Sequence, residues 1–312
     1  MKRLLYGKGV WAWMESEISR AIDMARAIGA RIILFKTGQE GEYYEQSARR
    51  VVKQITDAGL IPLAWPVITC LRPDDEAEVA IQSILDGYAG LVFDIEQPAS
   101  GQFEGAKRLG ERMIATELPP EVMFFTSMPN ISAYPGIPYN EMARFCKGGF
   151  MPQAYASFKW PVQYTLDVIT YGEFGRWAAD QKRDLPIYPV LGFYTDEHGK
   201  EVLSIAEILS WLAYLGRFKP SFFSVFRAEI CPESAWSLLA RVDMTPEGQT
   251  PPKPKLAGIY ITVRPGDSII GLCTDYGCSV GQFWDWNGHL WDAADKPREP
   301  RGLEHGWIVR IK

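Results

Sequence analysis

The chain has 312 residues, of which 47% are hydrophobic and 23% charged, an ordinary balance for a globular protein of one or two domains. Its formal charge of −5 argues against nucleic acid as the main partner, because phosphate binding needs a basic face. No apolar run reaches about 18 residues, so the sequence predicts no insertion into a membrane.

Short apolar runs alternate with helical patterns along roughly the first 240 residues. We predict strands at 4–14, 31–35, 61–68, 90–97, 122–126, 150–155, 187–193 and 222–226. We predict helices at 18–28, 43–58, 74–85, 103–115, 139–145, 165–179, 205–215 and 234–239. This alternation matches a (β/α)₈ TIM-type barrel in number and in length. A doubly wound sheet is the alternative, but no glycine-rich phosphate loop follows the first strand.

A proline-rich segment separates this region from the C-terminal part of the chain. Four prolines lie between positions 246 and 256, and such a sequence forms a semi-rigid extended spacer. We therefore predict a barrel domain at 1–245, a linker at 246–257 and a small domain at 258–312.

Two acids end the fourth predicted strand. Asp94 and Glu96 follow a short apolar run that begins at Leu91, and their spacing of two puts both on one face of a strand. Carboxylates at the end of a buried strand are costly unless they have a function. Glu96 is the better general acid candidate, because the like charge of Asp94 and partial burial both favour its protonated form. Asp94 is then the partner that stabilises positive charge or orients a substrate acetamido group.

Other polar and aromatic residues lie at the predicted strand ends, where a barrel carries its active site. The candidates for substrate binding are Trp11, Trp13, Trp65, Gln153, Tyr155, Tyr194, Arg227 and Glu229. Together with the acid pair they indicate a carbohydrate cleft. An alternative is a structural acid pair that forms salt bridges with Lys36 or Arg227. No histidine clusters with acids and no cysteine pair has ligand spacing, so we expect neither a metal nor another cofactor.

The most specific pattern lies in the C-terminal segment. Tyr260 begins a short strand, Pro265-Gly266 form a turn, and Asp267 or Ser268 caps a helix. With Phe283 and the closing residues Val309 and Ile311, this segment resembles a LysM domain, which implies a βααβ fold that binds N-acetylglucosamine-containing chains. The positions that the resemblance assigns to glycan binding are Gly266, Asp267, Ser268, Asn287, Gly288 and His289. A connector that has lost sugar binding is the alternative for this domain.

The barrel also carries a family resemblance. Asp94-Ile95-Glu96 on the fourth strand, with Gln153 and Tyr155 on the sixth, is similar to the family 25 lysozymes and to the family 18 chitinases among the glycoside hydrolases. Two departures are visible. The first strand lacks the aspartate of family 25, and Val92 replaces a further aspartate of family 18.

These patterns predict a lysozyme-like or endolysin-like hydrolase that the LysM domain anchors to peptidoglycan or to another N-acetylglucosamine-containing glycan. The alternatives are a non-catalytic wall-binding or particle protein with a degenerate barrel, and a chitin-directed glycosidase. The first eight residues lack an apolar core and a cleavage site, so we predict no signal peptide. We expect synthesis in the cytoplasm and action at a cell wall, after phage release or as part of a particle.

Overall fold

A computed structural model describes residues 5–181, 184–194, 202–244, 260–262, 272–273, 282–283 and 308–310. The chain divides into two compact units, Met1–Thr250 and Pro251–Lys312. The strands of the first unit are β1 Gly7–Ala12, β2 Ile32–Gln39, β3 Glu42–Tyr43, β4 Ile61–Ile68, β5 Leu91–Ile95, β6 Met123–Ser127, β7 Gly149–Tyr155, β8 Val190–Gly192 and β9 Phe222–Val225. Its helices are α1 Ile18–Ile28, α2 Glu45–Asp57, α3 Pro73–Leu85, α4 Phe103–Ile114, α5 Tyr139–Phe145, α6 Glu173–Asp180, α7 Ile205–Leu215 and α8 Glu233–Arg241.

Eight of these strands form a closed parallel ring in the described part of the first unit. β1 pairs with β2 on one side and with β9 on the other, and the remaining partners follow in chain order. Only the short strand β3 is antiparallel, as an addition to the edge of β2. The ring confirms the predicted TIM-type barrel and excludes the doubly wound sheet, whose edges stay open.

The barrel interior is apolar in its lower layers. Leu34, Leu63, Val92, Met151 and Phe222 come from different strands and are all buried in one core cluster. Because strand side chains alternate between the two faces, residues two positions further along each strand also point inward. The interior therefore continues toward the carboxyl end of the strands with the next inward set, which includes Asp94 and Gln153.

The short strand β3 was not predicted, β1 and β2 differ from their predicted bounds, and two further elements differ from the prediction. β8 begins at Val190, later than the start predicted at position 187. Pro189 precedes it and has no N–H group to donate to the neighbouring strand. The helix predicted at 165–179 is a π-helical stretch, Tyr164–Gly172, followed by α6. Thr170 Oγ1 donates to the carbonyl of Thr165 at 2.7 Å, five residues back, which supports the wider turn.

The second unit contains one antiparallel strand pair in its described residues. β10 Tyr260–Thr262 pairs with β11 Ile308–Arg310, with Ile261 opposite Val309. Helical residues occur between them at Leu272–Cys273 and Gln282–Phe283. This order agrees with the predicted βααβ domain. Among the described residues of the whole chain, no helix is both long and apolar enough to cross a membrane.

Candidate functional site

The acid pair lies where β5 reaches the rim of the barrel. Gln153, on β7, donates from Nε2 to Asp94 Oδ1 at 3.3 Å and to Glu96 Oε1 at 2.7 Å. The two carboxyl groups lie close enough that the charge of Glu96 acts on Asp94. One amide from a second strand thus bridges both acids and holds them side by side.

Asp94 is the more deeply placed acid. It is buried, whereas Glu96 is partly exposed. Burial raises the pKa of Asp94 well above its ordinary range, and the neighbouring Glu96 carboxyl acts in the same direction. A hydrogen bond from Trp65 Nε1 to Asp94 Oδ2, 2.8 Å long, and the charge of Lys36 oppose this shift. Burial is the largest of these effects, so the balance favours the protonated form of Asp94.

A cluster of aromatic rings lies beside the acid pair. We call it the aromatic floor, and it consists of Trp11, Trp65, Tyr155, Tyr194 and Phe226. The ring of Trp65 lies 4.9 Å from that of Trp11 and 5.8 Å from that of Phe226, both edge to face. Phe226 in turn stacks on Tyr155 at 5.3 Å, and Tyr194 lies 5.6 Å from Tyr155. The rings thus form one cluster, which contacts Asp94 through Trp65, and an aromatic surface of this kind suits a sugar ring.

Trp13 is the exposed aromatic residue of the rim, with 44% of its surface accessible. Its ring centroid lies 4.8 Å from Lys36 Nζ and 5.0 Å from Arg227 Cζ. Its backbone N–H donates to Glu17 Oε2 at 2.9 Å. Burial raises the pKa of Glu17 to about 6, and the positive charge of Arg227 opposes that shift.

The cations near the site have partners other than the acid pair. Arg227 Nη1 lies 3.1 Å from Glu17 Oε1, and Arg227 Nη2 lies 2.7 Å from Glu229 Oε2. Lys36 Nζ donates to Gln39 Oε1 at 2.6 Å. Among the described residues neither cation forms an ion pair with Asp94 or Glu96, so the structural alternative of a salt-bridged acid pair does not hold in that form.

The predicted site residues separate into groups. Asp94, Glu96, Gln153, Trp65 and Tyr155 meet at the rim, with Tyr194 beside them. Trp11 differs from the expectation, because it is fully buried and its indole donates to Ser224 Oγ at 2.8 Å. We therefore treat Trp11 as support for Trp65 rather than as a ligand contact.

The remaining predicted residues lie at the rim or beyond the described chain. Arg227 and Glu229 bind each other, and Trp13 lies over Arg227. The LysM positions Gly266, Asp267, Ser268, Asn287, Gly288 and His289 lie outside the described residues. In the described ranges, no group of three or more His, Cys, Asp or Glu side chains is arranged to hold a metal ion.

Sequence reasoning missed two contributors, Phe226 and Glu17. Phe226 follows β9 by one residue, and the period of two from Phe222 through Ser224 would have placed it inward. Glu17 had no such signal, because it precedes α1 in a short 3₁₀ turn and its partner Arg227 is distant in sequence. Val92, at the position of the further family 18 aspartate, is buried in the core below Asp94.

Comparisons with known proteins assign the two units to known folds. Residues 261–294 match the model of the LysM domain. The barrel is similar to the catalytic domain of a hyperthermophilic chitinase from Pyrococcus furiosus, with a TM-score of 0.55 and 12% identity over 75% of this chain and 94% of that one. It is also similar to a chitinase from Bacteroides thetaiotaomicron, with a TM-score of 0.55 and 10% identity over 76% and 95% of the two chains.

A family 18 chitinase from Cycas revoluta is similar as well, with a TM-score of 0.52 and 8% identity over 75% of this chain and 98% of that one. No curated protein sequence matches the chain. Identities this low show a shared fold rather than a shared activity. The chain therefore combines a closed (β/α)₈ barrel, the fold of these chitinases, with a C-terminal LysM domain.

Proposed function

We propose that the protein is a glycoside hydrolase that acts on N-acetylglucosamine-containing glycan. The observation that carries this proposal is the acid pair, in which a buried Asp94 and a partly exposed Glu96 both accept hydrogen bonds from Gln153 at the barrel rim. Glycoside hydrolysis requires one protonated carboxyl group beside the leaving oxygen and a second group to stabilise positive charge. Burial and the like charge of the neighbouring carboxyl group raise the pKa of Asp94, and this direction favours a pair that carries the proton an acid needs.

Glu96 is the proposed general acid, because it is the acid of the pair that reaches solvent. Its proton passes to the glycosidic oxygen as the bond to the anomeric carbon breaks, and a water molecule that adds to that carbon returns a proton to Glu96. Asp94 then either stabilises the oxocarbenium-like centre or orients the acetamido group of the substrate. Gln153 and Tyr155 are the proposed neighbours of that group, and the exposed ring of Trp13 is a further stacking surface.

The LysM domain is the proposed anchor. A barrel at 1–245, a proline-rich linker at 246–257 and a carbohydrate-binding domain at 258–312 would hold the acid pair near its polymer. Such tethering raises the local concentration of substrate, so that a weak binding domain still increases the rate of a weak enzyme.

Peptidoglycan is the substrate that we propose first, with action as a lysozyme-like or endolysin-like enzyme at the cell wall. Chitin is the second candidate, favoured by the similarity of the barrel to the chitinases of Pyrococcus furiosus and Bacteroides thetaiotaomicron. A non-catalytic glycan-binding protein is the third, favoured by the valine at position 92 and by the lack of an acid on β1.

The decisive experiment measures the release of reducing ends from purified peptidoglycan and from colloidal chitin. We expect Glu96→Gln to lower turnover by about 10²- to 10⁴-fold, the usual contribution of a general acid. Glu104→Gln is a matched control, because it removes an exposed acid on α4 that has only a loose ion pair with Lys107. Equal activity of the wild type and Glu96→Gln would exclude Glu96 as the acid, and no release from either polymer would favour the binding protein.

A further inference from the structure

Four aromatic side chains lead away from the acid pair along the segment that follows β7. The ring of Tyr155 stacks on Phe158 at 5.9 Å, Phe158 lies 5.3 Å from Trp160, and Trp160 lies 6.0 Å from Tyr164. We call these four residues the aromatic strip. Its inner end is part of the site described above, because Tyr155 also packs on Phe226.

The strip becomes more exposed with distance from the barrel. Tyr155 and Phe158 are half-buried, whereas 36% of Trp160 and 44% of Tyr164 are accessible to solvent. Large aromatic residues at that exposure do little for the core. A contiguous exposed apolar surface that joins a candidate active site is more typical of a binding surface than of random exposure.

The backbone holds the strip in place. Lys159, between Phe158 and Trp160, has a left-handed conformation with a φ of 60°, which is unfavourable for a residue other than glycine. Its N–H donates to the carbonyl of Ala156 at 2.9 Å, which closes the short 3₁₀ turn Ala156–Phe158. Backbone strain of this kind clusters at ligand sites, where the surrounding structure maintains it.

We propose that the aromatic strip binds additional sugar rings of the same glycan, beyond the unit held at the acid pair. This inference rests on the proposed function and specifies its substrate as a chain of several sugar units rather than a single disaccharide. Each pyranose ring presents a flat apolar face that stacks on an aromatic ring, while its hydroxyl groups remain in water. Continuity with the acid pair through Tyr155 favours a glycan as the occupant over an unrelated protein partner.

The proposal predicts that affinity depends on chain length. A disaccharide covers the acid pair alone, whereas a longer oligomer also covers Trp160 and Tyr164. The affinity is read from the change of the Trp65 signal in the barrel, because the LysM domain is itself proposed to bind such oligomers. We expect the full-length Glu96→Gln protein to bind chitohexaose about three- to tenfold more tightly than the same protein with Trp160→Ala, the effect of one aromatic stack. Leu85→Ala, which shortens an exposed apolar side chain at the far end of α3, leaves the affinity unchanged.

The test uses full-length Glu96→Gln protein labelled with 5-fluorotryptophan, so that ¹⁹F NMR reports each tryptophan separately from those of the LysM domain. The Trp160 signal is assigned by its loss in Trp160→Phe. We expect chitohexaose to shift this signal and chitobiose to leave it in place. An unmoved Trp160 signal under conditions in which chitohexaose shifts the Trp65 signal, or an unchanged affinity in Trp160→Ala, overturns the proposal. Hydrolysis plays no part in this measurement, so an inactive wild type would contradict the proposed function without affecting the strip.

Discussion

Opposing influences act on the pKa of the Asp94 carboxyl group. Burial and the nearby Glu96 raise its pKa, whereas the hydrogen bond from Trp65 and the charge of Lys36 lower it, and burial is the largest of these effects. Folding therefore raises the pKa of Asp94 above its value in the unfolded chain. The stability that this shift contributes is full below the unfolded pKa and is lost as the pH rises through the folded pKa.

Asp94→Asn removes this titration and imitates the protonated acid, because the amide of the asparagine is neutral and still accepts a hydrogen bond from Trp65. We expect the variant to match the wild type in Tm near pH 4 and to exceed it by about 2–4 °C at pH 8, the effect of about 1 kcal/mol in a domain of this size. Thermal unfolding followed by circular dichroism across this pH range measures the difference. Asp57→Asn, at an exposed site, is the control, and a Tm difference that does not change with pH would refute a protonated Asp94.

Trp65 and Trp11 allow a matched comparison, because each is a buried indole with one donated hydrogen bond. Only Trp65 donates to Asp94, so Trp65→Phe removes an interaction that lowers the pKa of Asp94. We expect this variant to move the alkaline limb of the pH–rate profile to higher pH and to reduce kcat by about tenfold. Trp11→Phe leaves Ser224 without its donor, but we expect the alkaline limb to stay in place. A similar shift in both variants would show that packing, not the hydrogen bond, controls the pair.

Secondary structure followed from the sequence wherever local chemistry determined it. α1 ends as predicted at Ile28, because Gly29 adopts the left-handed conformation that closes a helix. α7 begins as predicted at Ile205, because Ser204 and Glu207 form a capping box. β4 also has its predicted bounds, Ile61–Ile68.

The parts that the sequence did not predict depend on distant contacts. Inward placement of Asp94, Glu96 and Gln153 followed from the two-residue period of a strand. The hydrogen bond from the Trp65 indole to Asp94 could not be predicted in this way, because it depends on the register between the neighbouring strands β4 and β5. The Glu17–Arg227 pair likewise joins the segment before α1 to the segment after β9, and no local pattern indicates such a closure.

Lys8 connects three elements at the start of the barrel. Its Nζ donates to the carbonyl of Ile28, at the end of α1, at 2.9 Å and to that of Leu239, in the last turn of α8, at 2.6 Å. A cation at helix C-termini interacts favourably with the unpaired carbonyl groups there. Burial nevertheless lowers the pKa of Lys8 from an ordinary 10.5 to about 8.

Lys8→Met keeps the length of the side chain and removes both its charge and its donors. Between pH 8 and pH 10.5, Lys8 of the wild type is protonated in the unfolded chain but has lost its proton in the folded protein. The contribution of Lys8 to the free energy of unfolding therefore rises with pH in this range, and it is constant below pH 8. We expect the variant to lose about 1–3 kcal/mol at pH 7, because carbonyl groups are left unpaired, and to lack this rise. Urea unfolding at pH 7, 9 and 10 measures both effects. If the difference in the free energy of unfolding between the wild type and Lys8→Met stays constant with pH, the lowered pKa of Lys8 is contradicted.

At the scale of the whole molecule, the barrel and the LysM domain have separate cores. The first unit closes its ring of strands without any strand from the second, and the second pairs its own strands β10 and β11. The acid pair, the aromatic floor and the aromatic strip all lie within the first unit. The proposed hydrolysis and the proposed anchoring therefore belong to different units, and we expect removal of the second unit to affect only the anchoring.

A protein that consists of residues 1–250 tests this separation. We expect it to keep the kcat/KM of the full chain on soluble chitohexaose, because every proposed contact with the reacting sugars is retained. On insoluble glycan at low protein concentration we expect a rate about 10²-fold lower, since the tether that concentrates the barrel on its polymer is lost. The deficit should shrink as the protein concentration rises, because free barrel then replaces tethered barrel. Release of reducing ends over a concentration series measures this, and an equal loss on the soluble and the insoluble substrate would show that the LysM domain supports the barrel itself rather than its delivery.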